Sequence, residues 1–190
     1  MMSKIERAMA GLPAFRPRQI EREEAVEAAR VFLGLPYNES NTFVSFDENG
    51  KAHGHLNCHG LFFAWAQRLD LVGAGIWRAL QIAFSIAGVA PVLHAYMLRE
   101  TREASGAAAG DWLLFRWRQA SPTTETEMGA WFKGKHHIAL LSDTATAPNY
   151  RVIHAVDTDA AGKGGTYEVG HGGRDHAQIH IVRTLPQFVN

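Results

Sequence analysis

Apolar residues recur at Ile20, Ala25, Val26, Ala29, Phe32 and Leu33, the spacing of one face of a helix over 20–33. Gly34 and Pro36 close that helix. Residues 37–55 shift to Asn, Ser, Asp, Gly and His, and predict a long loop. A second helix over 56–69 places Leu61, Phe62, Trp65 and Leu69 on one stripe. Residues 71–93 are apolar, interrupted by Arg78, Gln81 and Pro91. A membrane-spanning helix needs about 20 mostly apolar residues, so this block is read as a buried helical hairpin.

After Gly110-Asp111 the period changes. Residues 112–117, 138–141, 152–156 and 179–182 form short apolar or alternating runs separated by turn formers, the pattern of antiparallel strands. The polar stretch 119–135 between the first two runs reads as a surface loop. No internal repeat is visible. Helices first and strands afterwards predict an α+β domain rather than a doubly wound one. The segment Gly162-Lys163-Gly164-Gly165 lacks the upstream glycine and the following Ser or Thr of a phosphate-binding loop.

Composition narrows the function classes. The 190 residues, 46% hydrophobic, suffice for one core, so the expectation is a single domain over 1–190. Lys plus Arg and Asp plus Glu balance at 19 each, which gives no general attraction to nucleic acid or anionic lipid. Arg116, Arg118, Lys133 and Lys135 are read as a solvated rim. One cysteine excludes an internal disulfide. The N-terminus carries no apolar stretch of signal-peptide length, so export by the general route is not expected.

Cys58 stands in Leu56-Asn57-Cys58-His59-Gly60-Leu61, where the polar stretch becomes an apolar-striped helix. Unpaired N–H groups and the dipole of a first helical turn favour a thiolate there. A lone cysteine is also commonly a small buried hydrophobe, so its context decides. That context is a pair of histidines. His137 begins the run His137-Ile138-Ala139-Leu140-Leu141, and His154 is central in 151–156. A hairpin through 142–150 makes them cross-strand neighbours, with Cβ atoms about 4.5–5.5 Å apart if they are directly opposite. That arrangement supplies a base and a group to orient it. Ala139 and Leu141 share the face of His137, and apolar surroundings hold imidazoles neutral. His136 points to the other face and is assigned to the rim, while His53, His55 and His59 are alternative bases from the loop. His176 and His180 have metal-ligand spacing only on a helix, but 178–182 reads as a strand. Neither a metal nor a cofactor is expected.

These residues resemble the NlpC/P60 cysteine peptidases of papain-like fold. The resemblance rests on Gly34-Leu35-Pro36-Tyr37, Asn57-Cys58-His59-Gly60-Leu61, Gly110-Asp111-Trp112-Leu113-Leu114-Phe115, His137-Ile138-Ala139-Leu140 and Ile153-His154-Ala155, in the family's order over 21–156. It implies Cys58 as nucleophile, His137 as general base and His154 as the orienting third residue. The Cys58 N–H, helped by the Tyr37 hydroxyl, would stabilise the oxyanion. It also marks 1–18 as an N-terminal extension, 71–95 as an apolar helical insertion and 157–190 as a divergent C-terminal part. The chain departs from the pattern where Asp-Cys-Ser-Gly has become Asn57-Cys58-His59-Gly60, placing an imidazole after the nucleophile. The interval from Tyr37 to Cys58 is also longer.

The substrate that the resemblance implies is a peptide bond in bacterial peptidoglycan stem peptides. Without an export signal, the expected setting is a phage or gene-transfer-agent tail, with tail or baseplate proteins as partners and no nucleic acid or membrane span. The chain would then be made in the cytoplasm and carried in a virion tail. An amidase effector delivered to the periplasm by a contractile secretion system is the alternative. So is a structural tail or hub protein with a degenerate site, of which His59 would be the symptom.

Overall fold

A computed structural model of the chain describes residues 4–40, 42–87, 92, 96, 101–102, 107–116, 136–143, 150–157, 164–171 and 179–183. Short helix α1 (Lys4–Ala10) precedes α2 (Arg22–Arg30), which buries Ala25, Val26, Ala28 and Ala29. Glu23 and Glu24 in the first turn of α2 and Arg30 in its last complement the helix dipole. The helix ends earlier than its apolar spacing predicts, because 31–34 tighten into a turn that Gly34 closes at φ 83°.

The expected loop over 37–55 contains a hairpin. Strands β1 (Phe43–Phe46) and β2 (Ala52–His55) pair antiparallel, from Phe43 opposite His55 to Phe46 opposite Ala52. The Asp47 carboxylate accepts the Asn49 and Lys51 N–H groups at 2.9 and 3.0 Å, and Gly50 takes φ 75°. These local bonds build the turn. The two four-residue strands flanking Asp-Glu-Asn-Gly were hidden by the polar composition around them.

Helix α3 (Cys58–Arg68) is buried on nearly all sides, from Gly60 through Ala66. The Trp65 indole donates to the Ala25 carbonyl at 2.8 Å and so ties α3 to α2. Helix α4 (Ile76–Ala87) follows. It buries Ile76, Leu80 and Ala83 but leaves Ile82 51% exposed, so it is a surface helix rather than half of a buried hairpin. Of the remainder of that predicted hairpin, Val92 is described and buried, and the rest lies outside the described residues. Among the described residues no helix is long and apolar enough to cross a membrane.

The remaining strands are β3 (Thr101–Arg102), β4 (Trp112–Arg116), β5 (His136–Asp143), β6 (Tyr150–Val156), β7 (Gly165–His171) and β8 (Ile179–Arg183). They form one antiparallel sheet in the order β3-β8-β4-β5-β6-β7. The expected class, α+β with helices packed on an antiparallel sheet, is the class observed. Strand β7 was not predicted because its glycines dilute an alternating run, and β3 is too short to leave a pattern. His180 stands in strand β8, so the helical spacing a metal pair would need is absent there. The loop 119–135 lies outside the described residues, as do the side chains of the basic rim.

Alternation splits the sheet's apolar side chains. Ile138, Leu140, Ile153 and Ala155 join the core under α2 and α3, while Leu113, Ala139, Leu141 and Val152 form a second cluster on the other face. Buried Asp111 anchors the start of β4. Its carboxylate meets Arg22 of α2 at 2.9 Å and accepts the Ala108 N–H at 2.9 Å.

Candidate active site

Cys58 is the first residue of α3, and the capping residue before it explains the local geometry. The Asn57 side-chain oxygen accepts the Gly60 N–H at 2.8 Å and the Thr42 hydroxyl at 2.9 Å. Its amide nitrogen donates to the Glu39 carbonyl at 3.1 Å. One buried amide therefore starts the helix and fastens the 39–42 segment to it. An aspartate could start the helix equally well but has no proton for Glu39. Gly60 allows the close approach. A Cβ there would lie 2.1 Å from the Thr42 hydroxyl oxygen.

The sulfur of Cys58 faces the sheet. Leu141 donates its N–H to the Asp111 carbonyl, on the β4 side of β5. By alternation, the Ile138 N–H points toward β6. The paired residues of β5 and β6 reach only to Leu140 opposite Ile153. One step beyond, the Ile138 N–H is directed to the Cys58 sulfur, as are the N–H groups of Cys58 and His59.

These donors favour a thiolate, yet burial outweighs them and pushes the thiol up to about 11. Cys58 is partly exposed as a residue, but its sulfur is enclosed by helix and sheet. The helix start favours a thiolate but does not by itself hold one here. At neutral pH the sulfur keeps its proton and needs a base.

His137 adjoins Ile138, and its Nε2 lies 3.0 Å from Nδ1 of His154. The rings meet at 70° with centroids 5.1 Å apart. The two residues are cross-strand neighbours on the diagonal rather than directly opposite. Extending the register Leu140↔Ile153 sets His154 opposite Ala139 and His137 on the diagonal. Imidazoles are long enough to close a diagonal gap that shorter side chains leave open. One nitrogen must donate and the other accept.

Tyr37 is held beside Leu56 by an isolated parallel bridge, with the Asn38 N–H donating to the Leu56 carbonyl at 3.0 Å. Burial, and then negative charge at Cys58, Asp157 and Glu39, push its hydroxyl up to about 12. It therefore remains a donor.

His59 turns away from the sheet. Its ring meets that of Phe84 on α4 edge-on, centroids 5.4 Å apart. With Thr42, Trp77 and Gln81 it lines a cleft of about 300 Å³ between α3, α4 and the 39–42 segment. Sequence reasoning did not find this cleft. The signal it had was the stripe Trp77, Leu80, Gln81 and Phe84, which is read equally well as a packing face. His53 is bound to Asp47 at 3.0 Å in the hairpin, and His55 pairs with Phe43 in β2. Among the described residues no group of three His, Cys, Asp or Glu could hold a metal.

No family model matches the chain, and no curated protein matches it in sequence. Among solved structures it is similar to NlpC1 from Trichomonas vaginalis, with a TM-score of 0.43 and 15% sequence identity. That similarity covers 88% of this chain and 48% of the other, so this chain spans about half the length of its structural neighbour.

Proposed function

We propose that the chain is a cysteine hydrolase in which Cys58 attacks a peptide-type carbonyl. The observation that carries this reading is the 3.0 Å contact of His154 with His137, which adjoins Ile138, whose N–H points at the Cys58 sulfur. With His154 Nδ1 accepting from His137 Nε2, the other nitrogen of His137 is the unprotonated one. It takes the thiol proton as the sulfur–carbon bond forms. The Cys58 N–H, helped by the Tyr37 hydroxyl, is the donor for the developing oxyanion. Collapse of the adduct returns the proton from His137 to the leaving amine, and water then releases the acyl group by the same path in reverse.

The order of the motifs supports a narrower reading as a peptidase or amidase of peptidoglycan stem peptides, carried by one domain over 1–190. In that reading the chain is assembled with tail or baseplate proteins of a virion, and an effector of a secretion system is the second setting. Release of soluble peptides from purified peptidoglycan, with Cys58→Ala as control, tests the activity. Release that depends on Cys58 is the expected result. The enclosed thiol favours one competing reading, a structural scaffold with a degenerate site. An inert natural protein that gains cleavage with His59→Ser would establish the scaffold.

A further inference from the structure

The cleft on the far side of Cys58 is built, and the hydrolytic residues do not use it. Trp77, Leu80, Gln81 and Phe84 recur at i, i+3, i+4 and i+7 and form one wall from one face of α4. The Trp77 indole donates to Gln67 of α3 at 2.6 Å, which fixes that wall against the helix bearing the nucleophile. Phe84 packs edge-on to His59, the residue after Cys58. The opposite wall is Glu39, Ser40 and Thr42, pinned through Asn57. At about 300 Å³ the cleft has the lower end of ligand-site volumes and suits one side chain rather than a cofactor.

Its chemistry is one-sided. Partly exposed Trp77 and Phe84 present aromatic surface, and exposed Glu39 is the charged residue at the rim. Among the described residues neither Lys nor Arg lines it. Glu39 has no ion pair among the described residues. Aromatic faces and a carboxylate both attract a cation, and the aromatic walls also cover an aliphatic stem.

We infer that this cleft is a specificity subsite for a substrate side chain with an aliphatic stem and an ammonium end, the charge meeting Glu39. The inference rests on the hydrolase reading, because it places the substrate through its attachment to Cys58.

The test uses peptidyl chloromethyl ketones that differ in one side chain: lysyl, norleucyl or glutamyl. That side chain is placed on the residue bearing the electrophile or on the one before it. Labelling of Cys58 is followed by mass spectrometry, and lysyl-to-norleucyl rate ratios cancel any change in thiol reactivity. At the better position the lysyl reagent is expected to react about fivefold faster at low salt, the size of an exposed ion pair. The glutamyl reagent should be slowest. The ratio should shrink in high salt and approach one in Glu39→Gln. Equal lysyl and norleucyl rates at both positions, or a ratio that Glu39→Gln leaves unchanged, overturns the subsite. Iodoacetamide separates this from failure of the parent reading. If His137→Ala slows its reaction with Cys58 while the peptidyl series is flat, only the subsite falls. If His137→Ala has no effect on it, the hydrolase reading falls first.

Discussion

The two sides of Cys58 are built by different means. Toward the sheet lies a backbone N–H from Ile138, on strands fixed by ladder pairing, and the neighbouring positions of β5 and β6 carry the joined imidazoles of His137 and His154. Toward α4 lie His59, Phe84 and Trp77, held by ring contacts and one indole bond, with a short segment pinned through Asn57. A rigid ladder suits the reacting groups, whose positions must hold to a fraction of an ångström. A helix face and a segment set shape and charge, and can vary without disturbing the reaction. On the proposed reading, the chemistry belongs to the sheet side and substrate choice to the α4 side.

Substitutions on the sheet side should give the largest effects. Cys58→Ala is expected to remove hydrolysis. His137→Ala should lower kcat/KM by about 10²–10⁴-fold, the range for loss of a general base. His154→Ala should cost less than that, and His154→Asn less again, because an amide can still bond His137. Steady-state kinetics on a peptide substrate checks the series. If all three histidine variants turned over like the wild type, the division between the two sides would collapse.

The α4 side should respond first in stability. Gly60→Ala drives a methyl group into Thr42, and overpacking of this kind costs about 1–3 kcal/mol. Combining it with Thr42→Ser, which removes the methyl that would lie 2.6 Å away, should recover part of the loss in urea denaturation. Asn57→Ala should cost about 1 kcal/mol as a lost cap. Asn57→Asp should keep the cap and lose the tie to Glu39, so protease nicking within 39–42 should rise more than global stability falls.

The same contrast governs what the sequence discloses. Helix α3 and strands β4, β5, β6 and β8 are legible because their sequences carry a clear apolar period, and the two histidines stand inside such runs. The diagonal offset of the pair is not legible, since register depends on how β5 leaves β6 to meet the Cys58 sulfur. The β1–β2 hairpin escapes notice because short, partly exposed strands need little hydrophobicity. Gly54 appears there as a loop residue, although it lets the Phe43 carbonyl pass where a Cβ would be 2.0 Å away. The cleft escapes for another reason. Trp77 and Phe84 look like core on α4, and only the folded structure leaves them partly exposed beside His59. The thiol's upward shift is likewise a property of enclosure, whereas sequence discloses only the helix start.

That shift supplies the most direct measurement of the central claim, the pH dependence of Cys58 labelling by iodoacetamide. In the wild type the thiol is protonated at neutral pH, and reaction requires a neutral His137 to accept its proton. Labelling should therefore already proceed at neutral pH, on a limb well below the thiol's own value. In His137→Ala that limb should vanish, and labelling should climb only as pH approaches the thiol's own value of about 11. Coincident profiles for the two proteins would contradict the account, because Cys58 would then react without His137.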